Sequence, residues 1–211
     1  MSACRIDHLV FWADGVVVTP PGRAAWDLLA PGCKPDAKAR LELHRLEQGL
    51  TCGALSPGEF CARAAVDLGK GSPAGDSLME KLPDQIAPIA GMPEVLEELA
   101  CRRLALSLVS GYPRKWLIPA LKRCGLAREF SEEQIWIAAE HGGFPEILDA
   151  LLERCRIVSG RSLWVDHHSL RTTAALRRGI DAAVFVHALQ FCRDLGLWGL
   201  VPFPAVGPTQ G

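Results

Sequence analysis

The chain has 211 residues, 49% of them hydrophobic and 22% charged, with a formal net charge of −1. That length and apolar content suit one globular domain with a modest insertion. The balanced charge leaves no electrostatic footprint for nucleic acid or an anionic membrane, and no apolar run reaches the roughly 18–20 residues needed to span a bilayer.

Residues 6–12 form a strand-like run, apolar from Leu9 onward, that predicts a buried strand, and Asp14 and Gly15 just beyond it predict a turn. Asp7 and His8 interrupt any export signal, so a cytoplasmic location is expected. Helical patterns follow at 24–29, 37–48 and 57–68, then a last short helix after a Gly/Pro/Ser-rich break at 69–75. Ser56, Pro57 and Glu59 make a capping-box pattern with proline at the first helical position. An ordinary crossover does not need so many helices, so 19–89 reads as a helical insertion. Strand-like runs then appear at 104–110, 134–138, 162–166 and 182–186. They alternate with amphipathic helices at 93–103, 114–124, 145–154 and 170–178, the pattern of βαβ units building a parallel sheet covered on both faces. Residues 187–196 predict a terminal helix, 198–202 an apolar tail folding back on the core, and 204–211 a frayed end. The eight cysteines, Cys4, Cys33, Cys52, Cys61, Cys101, Cys124, Cys155 and Cys192, include no C-x-x-C pair and read as reduced, mostly buried small hydrophobes.

Ligands of such sheets gather beyond the carboxyl ends of the strands. Asp14, Ser110, Tyr112, Glu140, His141, Asp166, His167 and His168 all follow strands and are expected to converge there. His167 and His168, as chain neighbours, are expected to point to opposite sides, so that at most one faces a shared ligand.

Residues 8–18 (HLVFWADGVVV), 106–113 (LSLVSGYP), 138–148 and 163–169 (LWVDHHS) resemble, in order and spacing, the four motifs of the haloacid dehalogenase (HAD) superfamily. The resemblance covers nearly the whole chain. It implies an α/β fold: a HAD-like three-layer, Rossmann-like core with a five-stranded parallel sheet (1–18 and 90–203), a small helical cap of the C1 type (19–89) and a flexible tail (204–211). In that family the first strand ends in Asp-x-Asp-Gly, the first Asp being the nucleophile and the second the general acid/base. Here Trp12 stands in the nucleophile's place and Asp14 in that of the acid/base. An indole has no oxygen with which to form an aspartyl ester or phosphate. Ser110 matches the hydroxyl that binds phosphoryl oxygens. The motif lysine is replaced by Gly142 or Gly143, and His141 is the only cationic candidate in that stretch. Asp166 matches the first of two metal-binding acids, with His167 at the second.

Three of four motifs thus differ at their key atom, and the resemblance implies a non-hydrolytic pseudoenzyme that binds a protein partner or a small molecule. The alternative is a repurposed enzyme of lyase, isomerase or cyclase type, with Asp14 as general acid/base and His141, His167 and Asp166 assisting. Less favoured are a residual phosphatase or dehalogenase and a register in which Asp14 is the nucleophile, which needs a first strand two residues longer. The candidate site is Asp14, Ser110, His141, Asp166 and His167, with Trp12, Tyr112 and Glu140 as ligand contacts. No cofactor is expected. Any metal would rest on Asp14, Asp166 and His167, as a weak magnesium site or, through the imidazole, a transition-metal site. Trp12 either plugs the old pocket or stacks on a flat or cationic ligand, and the free use of five other tryptophans favours the plug. The apolar segments 26–29 and 195–201 either complete the core or form an interface. A monomer or weak homodimer is expected, with no nucleic-acid or membrane partner.

Overall fold

The structure, a computed structural model, describes residues 6–68, 72–154 and 157–200. The expected tail at 204–211, Val201, Cys4, Cys155 and part of the Gly/Pro/Ser-rich break (69–71) lie outside the described residues. The strands are β1 (His8–Trp12), β2 (Ala105–Ser110), β3 (Ile135–Ile137), β4 (Ser162–Asp166) and β5 (Asp181–Val184), paired all in parallel in the order β3-β2-β1-β4-β5. The described helices are α1 (Pro21–Leu29), α2 (Ala37–Thr51), α3 (Pro57–Asp67), α4 (Ser72–Lys81), α5 (Met92–Cys101), α6 (Arg114–Arg123), α7 (Glu146–Arg154), α8 (Ser169–Arg177) and α9 (Ala188–Leu197).

Burial on both faces explains why β1 is apolar from Leu9 to Trp12: it is the central strand, and its period of two sorts its side chains into two layers. Leu9, Phe11 and Ala13 join the layer that holds apolar residues of α5, α6 and α9; Val10 and Trp12 join the layer with Ile147, Leu148 and Leu151 of α7 and Ala175 of α8. Trp12 is therefore part of a core layer at the very end of its strand, opposite Val109 in the register.

The four helices α1–α4 leave and rejoin the sheet domain at one place. The Thr19 N–H donates to the Ala87 carbonyl and the Ile89 N–H to that of Val17, both at 2.9 Å. The capping box at the start of α3 is present in full, with Glu59 N–H on Ser56 Oγ and Ser56 N–H on the Glu59 carboxylate. Element ends differ from the sequence expectation where tertiary contacts intervene. Helix α1 starts at Pro21, whose fixed φ suits a first helical residue. Helix α2 runs on to Thr51 through Gly49, where a Cβ would meet the Leu55 side chain at 2.8 Å. Strand β5 stops at Val184 because Phe185 turns inward against Phe191, its N–H on the Asp166 carbonyl, leaving Val186 exposed.

Of the two apolar segments, Leu195 and Leu200 are buried, Trp26, Leu28 and Leu29 pack partly against the core, and Leu197 and Trp198 are exposed. No helix among the described residues is long and apolar enough to cross a membrane.

Candidate functional site

The site forms where β1, β2 and β4 end and the C-terminal half of α2 lies over them. After Trp12 the chain turns at Gly15, whose φ of +83° is readily available only to glycine. The Asp14 carboxylate folds back onto the end of β2: Oδ1 accepts from Ser110 Oγ at 2.6 Å and Oδ2 from the Gly111 N–H at 2.7 Å. Gly111 admits no side chain, since a Cβ would lie 2.3 Å from Thr51 Oγ1 and 2.8 Å from Asp14 Oδ2. Asp14 is 5% exposed, and burial pushes its pKa up to about 6, against the pull of Ser110, Gly111 and Arg171.

At the end of β4, Asp166 is fully buried and held by a two-pronged ion pair. Arg171 Nε donates to Oδ2 at 2.6 Å and Nη2 to Oδ1 at 2.9 Å; the His168 N–H (2.9 Å, to Oδ1) and the Trp164 indole N–H (3.3 Å, to Oδ2) complete the shell. The same guanidinium lies over the Trp12 indole, 4.1 Å from the ring centroid. Below, Trp12 packs edge-on to Phe144 and tilted on Trp164. Trp12 is 2% exposed, so indole and guanidinium together fill the strand end.

Above this floor a cavity of about 510 Å³ stays open, its lining including Trp12, Asp14, His167, His168 and Arg171. Helix α2 contributes His44, Arg45, Glu47 and Gln48 to the opposite wall. Glu47 Oε1 accepts from the Gly22 N–H at 2.6 Å; burial pushes its pKa up to about 7, and the Asp14 charge adds to that. His168 stacks on His44 (centroids 6.1 Å apart, planes 8° apart), while His167 sits over the Gly15 turn with Nδ1 3.6 Å from Asp166 Oδ1. Burial lowers the pKa of both His167 and His168.

Several expectations need correction. Both neighbouring histidines line the cavity, because α2 closes over their loop and both sides of the chain there face the same space. Glu140 and His141 do not reach it: β3 is an edge strand, and the 3-10 turn that follows directs Glu140 to Arg114 of α6 (3.1 Å) and His141 onto Trp136. Tyr112 does not line the cavity. Its ring is buried against Trp116 and its hydroxyl donates to the Thr19 carbonyl at 2.8 Å. Ser110 is spent on Asp14, accepting in turn from the Tyr112 N–H. The register with Asp14 as nucleophile lacks its longer strand, since β1 ends at Trp12 and Asp14 makes only an isolated bridge to Val18.

Two residues of the site carried no motif. Arg171, in the first turn of α8, supplies the cation that the lysine position lacks. At that position a Cβ on Gly143 would meet the Cys52 backbone at 2.9 Å, so the end of α2 excludes a side chain there. Glu47 had a faint signal: it falls four residues after Leu43 and three before Leu50, beside the buried stripe of α2.

The set Asp14, Asp166 and His167 does not fit a magnesium ion. Arg171 holds both Asp166 oxygens, so an ion bridging Asp14, Asp166 and His167 would have to displace that guanidinium. Among the described residues no three His, Cys, Asp or Glu side chains are gathered to hold a metal.

No protein-family model matches the chain, and no curated protein matches it by sequence. Solved structures match it over most of its length. A HAD family hydrolase from Deinococcus radiodurans, with bound phosphate and sodium, is 18% identical, with 94% of this chain and 99% of that one covered and a TM-score of 0.63. L-2-haloacid dehalogenase from Xanthobacter autotrophicus is 17% identical (93% and 85% covered, TM-score 0.65), and a Bacteroides thetaiotaomicron HAD family enzyme 16% (87% and 95%, TM-score 0.61). A further match, a Bacillus subtilis protein described as a HAD hydrolase, has magnesium bound. The chain has the HAD fold.

Proposed function

We propose that this chain is a non-hydrolytic HAD-fold protein that binds a small molecule in the cleft between the helical segment 19–89, acting as a cap, and the strand ends of the core. The reading rests on one observation above all. Trp12, where the fold family's nucleophile would stand, is buried under Arg171, and Arg171 is committed to Asp166. Covalent attack needs an oxygen at that strand end, and phosphoryl binding needs a cation whose charge is free. The open cavity above favours a small molecule over a protein as the bound partner. A reduced, cytoplasmic setting suits thiols such as Cys33, Cys52 and Cys61, which are free.

The test is turnover of aryl phosphates and 2-haloacids with magnesium present, expected to stay at the buffer rate. Turnover that survives Trp12→Ala and disappears in Asp14→Asn overturns the reading and makes Asp14 the nucleophile.

A second reading, proton-transfer catalysis by Asp14, is favoured by a carboxyl that titrates at about 6 in a cavity wall. Its assistants would be His167 and Glu47, since His141 lies elsewhere. Exchange of an acidic C–H proton of a bound ligand with solvent deuterium, lost in Asp14→Asn with binding retained, would distinguish it from binding alone.

A further inference from the structure

We infer that the cleft takes a small organic cation, an amine, amidine or guanidine whose charge is held by Asp14 on the strand-end turn and Glu47 on α2. This names the ligand class of the cleft and rests on the ligand-binding reading above. The argument is an accounting of charge in the cavity. Its two arginines already have anionic partners: Arg171 grips Asp166 with two donors, and Arg45 lies 2.5 Å from Glu42. Its two carboxyls accept hydrogen bonds only from neutral donors, the Ser110 hydroxyl and Gly111 N–H for Asp14 and the Gly22 N–H for Glu47, with the His44 imidazole 3.9 Å from the other Glu47 oxygen. A cation arriving between them offsets the cost of burying two like charges. An anion would meet both carboxyls, with Arg171 bound to Asp166 and only Arg45, exposed and paired with Glu42, to receive it.

The hydrogen-bond inventory points the same way. His168, in the same wall, has its Nδ1 covered and without a hydrogen-bond partner, so a ligand N–H reaches it once the ring turns over. A neutral imidazole nitrogen can accept an N–H, and amines and amidines carry several. Phe144, Leu170, Pro20 and Pro21 supply apolar wall for a hydrocarbon portion.

Binding of a cation favours the ionised carboxyls, so affinity is greatest above the pKa values of both and falls as pH drops through about 7 and then about 6. The titratable and charged groups facing the pair are Arg171, Asp166, His167 and His168 from β4 and α8, His44 and Arg45 on α2, and Tyr112 behind Asp14. At pH 5.5 only about one Glu47 in thirty is ionised, so a loss of tenfold or more relative to pH 8 is expected.

Isothermal titration of the full chain at pH 8 and 5.5 compares 1,4-diaminobutane, agmatine and benzamidine with succinate, inorganic phosphate and 1,4-butanediol. At least one nitrogenous cation is expected to bind at pH 8, ten times tighter than the diol. It should weaken tenfold at pH 5.5 and in Glu47→Gln, and stay unchanged in the surface control Glu98→Gln. Thermal melting establishes that each variant is folded, and Asp14→Asn serves if Glu47→Gln is not. Binding of succinate or phosphate without the cations overturns the cation assignment and leaves the ligand-binding reading standing. Cation binding unaltered in both carboxyl variants overturns the assignment of the site. Absence of binding by all six probes at millimolar concentration overturns both readings.

Discussion

Replacing Asp14 with Asn removes one buried charge from the cleft at nearly constant shape, and the pH dependence of stability then reports what that charge does. The Asp14 pKa lies at about 6 in the folded chain against an ordinary value of 3.8. The folded state therefore binds more protons than the unfolded state between those values. Stability is fully present below pH 3.8 and is lost as the pH rises through 6. At 1.36 kcal/mol per pH unit the total loss is about 3 kcal/mol, about 2 kcal/mol of it between pH 4.5 and 7.5. Asn cannot ionise, so its stability curve should be flatter by that amount. Glu47, relieved of a neighbouring charge, should flatten it further. The amide can keep its oxygen on the Gly111 N–H and donate its NH2 to the Ser110 hydroxyl, at a pH-independent cost of about 0.5–1.5 kcal/mol. The difference between the two pH values is thus the informative quantity. Urea unfolding at five pH values from 4.5 to 7.5, followed by circular dichroism, measures both curves. Parallel curves would refute the assignment of Asp14 as a carboxyl that burial keeps protonated to unusually high pH.

Four further outcomes follow from the packing and charges of the site. Arg171→Met should destabilise by about 3–5 kcal/mol at neutral pH, since it strands a buried Asp166 carboxylate; a double-mutant cycle with Asp166→Asn should recover most of the loss, and additivity would rule out the pair as the cause. Trp12→Ala should cost about 3–5 kcal/mol in denaturant unfolding, because it empties a core layer as well as the cleft floor. Elemental analysis of untagged protein incubated with magnesium, zinc and nickel should find no stoichiometric metal; one equivalent lost in Asp166→Asn would contradict the role given to Arg171. Trp198→Glu should still fold but with a lowered melting temperature, because at 37% exposure most of the indole is covered, and light scattering at high concentration would show whether a weak homodimer depends on it.

The strands and most helices were legible in the chain because their signals are local. The apolar run at 9–12 is what a central parallel strand requires, the capping box at Ser56 marks the start of α3, and the four motif segments keep the order of the strand ends. The substitution at Trp12 was equally plain, since it needs only the residue's identity. Convergence of the site was legible only in part. Asp14, Asp166 and His167 meet because β1 and β4 are neighbours in the sheet. Glu140 and His141 fail to join them because β3 lies at its edge, a strand order that no single strand's sequence carries. The charges of the cleft were decided by tertiary structure alone. Glu47 lies on a helix of the inserted segment, more than thirty residues beyond the end of β1, and Arg171 reads as an ordinary solvent-facing arginine until α8 lays it across Trp12 and Asp166. Local sequence records which atoms are present and their helical or strand period. Which charges share a desolvated space, and so which of them are paired, depends on chain segments distant in sequence packing to within a few ångströms, where the Coulomb energy in a low dielectric becomes large.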